Sequence, residues 1–257
     1  MIRRNWDKKD TYIAFLLYCQ MPQHSINEEN DTIKHIARLL NRTSGALCMK
    51  IFNLAHNDPK MIIRGRVGLR NCSSLDKIVV HEFLNDWSAC CNKAQNYFDA
   101  LLMGLEEQGI SSKDYIVKEF PAFDKSYATL EQLTCQRFFR NTVLASYDFH
   151  CCITGINVNE LIVASHIKPW TASADEEKAN PDNGLCLNVF HERLFAKGLM
   201  TITPDYKIHF SQCLKNYDCP DGFIKNYEGQ TIRLPEKFPP NLEYLEYHND
   251  VIFKSAF

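Results

Sequence analysis

Apolar residues in the first half of the chain recur every three or four positions, the spacing of helices that bury one face. Three such stripes occur early in the chain, and a capping residue precedes the second, at Asn30 or Asp31, and the third, at Thr43. The stripes consist of Ile13, Leu16 and Leu17, of Ile33, Ile36 and Leu40, and of Leu47, Ile51 and Leu54. Further helices are predicted after Ser73 or Ser74, around Tyr97 to Leu105, and over Thr129 to Leu144.

The pattern changes after His150, where strand-like segments begin. The run LIVASHI is apolar and β-branched and ends on His166, and GLCLN alternates like a second short strand. The following VFHERLFAKG returns to helical spacing, and LMTITPDYKIHF predicts a hairpin before a last helix. These elements predict an α+β protein. We expect a helical domain over residues 1–110, a linker over 111–124, and a strand-containing domain over 125–257 that ends in the hairpin and the last helix.

Three polar residues occupy fixed places on the strand, loop, strand and helix that begin at LIVASHI. His166 ends the first strand, Asn183 opens the second, and His191 lies in the first turn of the helix. A strand and a helix packed side by side can bring the two histidines to opposite sides of one cavity. One imidazole can then take a proton from water, while a metal ion on the other neutralises charge on a phosphate. The arrangement suits metal-assisted hydrolysis of a phosphodiester.

The same segment resembles the ββα-metal core of the HNH endonucleases. The resemblance is carried by C-x-x-T-G at 151–155, by A-S-H-I-x-P-W at 164–170, and by N-P-x-N-G-L-x-L with its following helix at 180–199. It implies that His166 is the general base, that Asn183 fixes the loop, and that His191 is the metal ligand. It also implies one divalent ion per active site, Mg²⁺ or Mn²⁺, and products that carry a 5′-phosphate and a 3′-hydroxyl.

Two positions depart from the HNH pattern. Many relatives have an Asp or His as second metal ligand just before the base, where this chain has Ser165. A hydroxyl is a poorer ligand than a carboxylate for a hard cation. Ser165 and Asn188 are therefore secondary candidates for holding the metal ion beside His191. Relatives also read F-D-x-G where this chain has Ala196 after Phe195. A folded but inactive HNH core is therefore a second interpretation.

The N-terminal part offers candidates for DNA recognition. The segment HIARLLNRTSGALCMKIFNLA resembles a helix-turn-helix, and its polar residues are expected on the exposed side of the second helix. Arginines in RGRVGLR, and two more just before the nuclease core, can hold phosphates. An ordinary helical bundle with a solvated face and surface charges is the alternative. The candidate DNA-binding residues are Arg42, Ser44, Lys50, Asn53, Arg64, Arg66, Arg70, Arg137 and Arg140.

A helical module followed by an HNH core resembles a group of bacterial restriction endonucleases, some of which, the BisI-type enzymes, require modified cytosine. The resemblance implies cleavage of double-stranded DNA, with a dependence on 5-methylcytosine as the favoured form. Because one core cuts one strand, a homodimer is expected. Two rival functions stay open. One is a DNA-binding regulator with an inactive core, and the other is a nuclease selective for RNA or for branched structures.

Composition limits these alternatives only slightly. The chain has 257 residues, a net charge of −2 and a pI of about 6.5, so any affinity for phosphate must come from local clusters. No segment has the length of a membrane span and no leader pattern is present, so a cytoplasmic protein without membrane contact is expected. The 11 cysteines are odd in number and scattered through apolar runs, which favours buried thiols. Their spacing does not favour a structural zinc site.

Overall fold

The computed structural model of the chain describes residues 5–59, 72–106, 129–216, 224 and 226–255. Helices occupy the N-terminal part, and two short antiparallel strand pairs follow, which confirms the predicted α+β class. None of the described helices combines the length and the apolar character needed to cross a membrane. The elements are α1 (Lys8–Gln20), α2 (Asp31–Leu39), α3 (Ser44–Ala55), α4 (Ser74–Asn85), α5 (Trp87–Glu106), α6 (Leu130–Ser146), β1 (Ile162–His166), β2 (Gly184–Asn188), α7 (Val189–Ala196), β3 (Met200–Ile202), β4 (Ile208–Phe210) and α8 (Leu242–Tyr247).

Contacts divide the chain into two units, residues 1–138 and 139–257, with the boundary inside α6. The predicted linker over 111–124 lies outside the described residues. The domain boundaries at 110 and 125 therefore stay a prediction.

Side-chain caps start the helices of the first unit where the sequence places them. Asn30 accepts the backbone N–H of Ile33 at the start of α2, and Thr43 accepts that of Ala46 at the start of α3. Ser73 and Asp76 form a reciprocal capping box at the start of α4. Each cap satisfies backbone donors that have no partner inside the helix.

Aromatic rings from several helices form the core of the first unit. Phe15 of α1 lies 4.6 Å from Phe83 of α4 between ring centroids, and Phe83 lies 5.7 Å from Trp87 at the start of α5. Phe138 of α6 packs 6.0 Å from Trp87. All four side chains are at most 2% exposed, so burial of apolar area holds these helices together.

Two charged residues that were predicted to face DNA are instead part of this packed unit. Lys50 is 4% exposed and its Nζ lies 2.5 Å from the carboxylate of Asp76. The Arg42 side chain is 10% exposed, donates to Asp10 at 3.1 Å, and stacks 4.2 Å above the ring of Trp6. Their placement on an exposed recognition surface was wrong because both cations neutralise buried carboxylates.

The second unit is built on the pair of β1 and β2. The strands are antiparallel, with Ala164 opposite Cys186 and His166 opposite Gly184. Strand β2 runs directly into α7, whose first residue follows Asn188. Strands β3 and β4 pair separately and confirm the predicted hairpin. The strand, loop, strand and helix order of the predicted nuclease core is therefore present.

Gly184 is required at the point where β2 meets α6. A Cβ atom at this position would lie 2.3 Å from Cγ2 of Val143 and 3.1 Å from Cζ of Phe139. The first distance is shorter than real Cβ contacts show, and the second is tighter than most of them. The absence of a side chain at Gly184 lets α6 pack against the strand pair that carries His166.

Candidate active site

His166 is held from two sides by its surroundings in the second unit. Its ring stacks on Phe139 of α6, with centroids 3.6 Å apart and planes 11° apart. The edge of the Trp170 ring packs against it at a centroid distance of 5.7 Å. The imidazole is half-buried and cannot rotate without losing both contacts. These contacts fix the plane of a side chain that stands at the end of β1.

One hydrogen bond assigns the tautomer of His166. Its Nε2 lies 3.0 Å from the backbone carbonyl oxygen of Lys178, and because a carbonyl oxygen can only accept, Nε2 carries the proton. The lone pair of the neutral ring is therefore on Nδ1, which no described residue engages in a hydrogen bond. Burial lowers the pKa of His166 to about 4, with the Lys178 bond opposing the shift. At neutral pH the residue is a neutral base with a fixed orientation.

Asn183 ties together the loop that supplies the Lys178 carbonyl. It is fully buried, and its Oδ1 accepts the backbone N–H of Lys168 at 2.7 Å. Its Nδ2 donates to the Lys168 carbonyl at 3.0 Å and to the hydroxyl of Ser173 at 3.3 Å. The backbone carbonyl of Asn183 also accepts from Ile167. The amide thus closes the loop between β1 and β2, although its role in catalysis stays a prediction.

His191 lies in a different setting from His166. It is fully buried in the first turn of α7, with the ring of Tyr227 packed at 5.4 Å. No ring contact or hydrogen bond joins it to His166. Its side chain hydrogen-bonds to Cys151, and this bond with one from Thr154 lowers the pKa of the Cys151 thiol to about 7, against the opposing effect of burial. His191 therefore belongs to a polar network inside the protein.

Asn188 completes that network as the N-cap of α7. Its Oδ1 accepts the backbone N–H of His191 at 2.9 Å, and its Nδ2 donates to Thr154 at 3.2 Å. Its own backbone N–H donates to the Cys151 sulfur at 3.2 Å. Both side-chain groups of Asn188 thus make hydrogen bonds inside the protein. Ser165, the other secondary candidate for the metal ion, is 6% exposed and lies opposite Leu185 in the strand pair.

Glu192 is a candidate that the sequence reasoning missed. It directly follows His191 in the first turn of α7, is half-exposed, and makes no hydrogen bond or ion pair with any described residue. A carboxylate suits Mg²⁺ or Mn²⁺ better than an imidazole inside a hydrogen-bonded network does. Within the described ranges, no group of three or more His, Cys, Asp or Glu side chains is arranged to hold a metal. Glu192 is therefore a further candidate ligand for a divalent ion, and His191 stays the predicted one.

The predicted DNA-binding residues differ in how exposed they are. Ser44 and Asn53 of α3 are half-exposed, and their contact with DNA stays a prediction. Arg137 of α6 is exposed, whereas Arg140 is half-buried, with Nη2 3.4 Å from the Ile162 carbonyl oxygen. Arg64, Arg66 and Arg70 lie outside the described residues.

An exposed arginine beside α3 was not predicted. Arg38 of α2 makes no hydrogen bond or ion pair with a described residue and lines a cleft of about 480 Å³ next to Ser44. The cleft also holds acidic side chains, so its charge is mixed. It is lined by Glu28, Glu29, Lys34, Arg38, Arg42, Thr43 and Ser44.

Comparison with known proteins covers the segment that carries His166, Asn183 and His191. Residues 151–203 match the family model described as HNH endonuclease, and this segment contains β1, β2, α7 and β3. The chain therefore carries an HNH endonuclease domain, which supports a nuclease that acts on nucleic acid. No curated protein matches the chain. The resemblance to BisI-type enzymes is not confirmed by these comparisons.

We predict that His166 stays neutral well below the usual range for histidine. Its pKa of about 4 means that the folded protein takes up this proton far less readily than the unfolded chain, which does so near 6.5. The contribution of His166 to stability is therefore complete above pH 6.5 and is lost as the pH falls towards 4. In an NMR titration from pH 8 to pH 5, the ring signals of His166, assigned with His166→Gln, should barely move. An inflection near pH 6.5 would show that the ring is not desolvated as described.

Proposed function

We propose that the protein is a metal-dependent DNA endonuclease of restriction type. The observation that carries this proposal is a histidine at the end of β1, inside the HNH domain, whose Nδ1 is kept free and unprotonated by the bond from Nε2 to Lys178. A neutral imidazole with one fixed free nitrogen is what the removal of a proton from water requires.

In the proposed reaction, His166 accepts a proton at Nδ1 from the water that attacks the phosphodiester. The Phe139 and Trp170 rings hold the imidazole plane while this proton is transferred, and the Lys178 carbonyl keeps its hydrogen bond to Nε2. The low pKa of His166 means that the base is fully available at neutral pH. A bound divalent ion would neutralise the charge that develops on the phosphate and the leaving oxygen.

The first turn of α7 is the proposed holder of that ion. Glu192 offers a carboxylate without a described partner, and Ser165 of β1 offers a hydroxyl on a strand that α7 packs against. His191 is the alternative ligand, at the cost of its bond to Cys151. The products would carry a 5′-phosphate and a 3′-hydroxyl.

Sequence selectivity is proposed to come from the helical first unit, since contacts to the cleaved phosphate read no sequence. Ser44, Asn53 and Arg38 are its accessible polar residues near α3, and Arg137 is an exposed cation on α6. Dependence on 5-methylcytosine rests on the sequence resemblance alone. One HNH domain cuts one strand, so a double-strand cut would require a homodimer on duplex DNA. We expect the enzyme to act in the cytoplasm.

Digestion of plasmid DNA tests the proposed activity. The protein with Mg²⁺ or Mn²⁺ should nick or linearise a cytosine-methylated plasmid faster than its unmethylated counterpart, and EDTA should stop both reactions. Equal cleavage rates on the two plasmids would contradict the dependence on cytosine methylation but not the nuclease activity. Faster cleavage of RNA or of branched DNA would favour the structure-selective alternative. DNA binding without cleavage in any metal would favour a regulator with an inactive core.

Binding of Mn²⁺, followed by electron paramagnetic resonance, tests the proposed ion site independently of cleavage. Glu192→Gln should weaken Mn²⁺ binding about tenfold or more because it removes the carboxylate charge. Glu176→Gln, which removes an exposed carboxylate from the loop before β2, is the matched control and should bind normally. If Glu192→Gln binds normally while a folded His191→Gln does not, His191 is the ligand and the assignment of Glu192 is wrong.

A further inference from the structure

Two cysteines of the first unit, one on each of two helices, lie in contact with each other. Cys91 of α5 and Cys135 of α6 are 44 positions apart in sequence, yet their sulfur atoms lie 3.4 Å apart. Cys91 is 1% exposed and Cys135 is 5% exposed. A disulfide needs sulfur atoms about 2.05 Å apart. The remaining approach of little more than one ångström is within the range of small side-chain rotations.

The polar groups around the two sulfur atoms distinguish their roles. Both sulfur atoms lie near the Ser88 carbonyl oxygen, Cys91 at 3.2 Å and Cys135 at 3.7 Å, and only Cys135 also accepts a hydrogen bond from Asn92, at 3.4 Å. The contact between the two sulfur atoms lowers the pKa of Cys135 although burial opposes the shift, whereas the same contact, together with burial, raises the pKa of Cys91. Because the thiolate is the reactive form, Cys135 is the first sulfur expected to react with an oxidant.

We propose that Cys91 and Cys135 form a reversible thiol–disulfide pair that closes when a peroxide oxidises the protein. The Cys135 thiol loses its proton, the thiolate attacks one oxygen of the peroxide, and the O–O bond breaks to give sulfenic acid and hydroxide, which takes up that proton to become water. The Cys91 sulfur then attacks the sulfenic sulfur, the S–O bond breaks, and a second water leaves. Overall, two thiols and one hydrogen peroxide give one disulfide and two waters.

The bond would join α5 directly to α6. Residues 107–129 separate these helices along the chain, so the disulfide would close a long loop. A crosslink across a long loop restricts the unfolded chain more than one across a short loop. The oxidised protein should therefore unfold at a higher temperature than the reduced protein. This inference does not depend on the nuclease activity.

The adjacent Cys90 supplies a matched control. It lies on the same helix and is also buried, but its sulfur contacts the hydroxyl of Tyr12 at 3.6 Å. Cys90→Ser and Cys91→Ser each remove one buried thiol from neighbouring positions. They differ in whether the thiol that faces Cys135 is retained.

Treatment of the full chain with hydrogen peroxide, followed by thiol blocking and peptide mass spectrometry, tests the proposal. We expect a peptide pair that joins α5 to α6, with a loss of two hydrogens that dithiothreitol reverses, and a rise in Tm of several degrees. The crosslink should form in Cys90→Ser and should be absent from Cys91→Ser and Cys135→Ser. Reduced samples of all variants serve as folding controls by circular dichroism.

Three results would overturn the proposal. The first is oxidation of other cysteines while Cys91 and Cys135 stay reduced in the folded chain. The second is irreversible oxidation of Cys135 to a sulfinic acid without any crosslink. The third is a crosslink that persists in folded Cys91→Ser and disappears in Cys90→Ser, which would assign it to Cys90.

Discussion

The hydrogen bond from His166 Nε2 to the Lys178 carbonyl is the constraint on which the candidate active site depends. Without this bond, the proton of the neutral ring could be on either nitrogen, and Nδ1 would not be identified as the base. The carbonyl can hold this position because Asn183, fully buried, closes the loop by bonds to both backbone groups of Lys168 and to Ser173. The side-chain amide of Asn183 and the imidazole of His166 are thus linked through the loop between β1 and β2.

Ring packing fixes the plane of the His166 side chain, which the hydrogen bond alone does not do. Phe139 stacks on the His166 ring, and the missing side chain at Gly184 allows α6 to come close enough for that contact. The same burial lowers the pKa of His166, because a charged imidazolium loses hydration there. Stacking, helix position and proton affinity therefore have one cause, which is the close approach of α6 to the strand pair.

Sequence patterns predicted the local structure well where the cause is local. Helix starts at Asn30, Thr43 and Ser73 follow from side-chain caps, and the strand order of the HNH domain follows from its motif. Long-range pairing was not predictable. Lys50 looked like an exposed residue because its partner, Asp76, lies 26 positions away on another helix.

Neighbouring residues at the start of α7 have different surroundings, which the motif does not reveal. The HNH motif predicts His191 as the metal ligand, but its surroundings include the Cys151 thiol and the Tyr227 ring. Glu192, one position later, is half-exposed. On a helix, adjacent residues point about 100° apart, so a single position decides between the interior and the surface.

Chemical rescue of a His166→Gly variant tests the central claim most directly. If Nδ1 of His166 is the base, this variant should bind DNA but fail to cleave it, and added imidazole should restore cleavage in proportion to its concentration. Cleavage by His166→Gly at the wild-type rate without imidazole would contradict the account, because the proton would then be taken by another group.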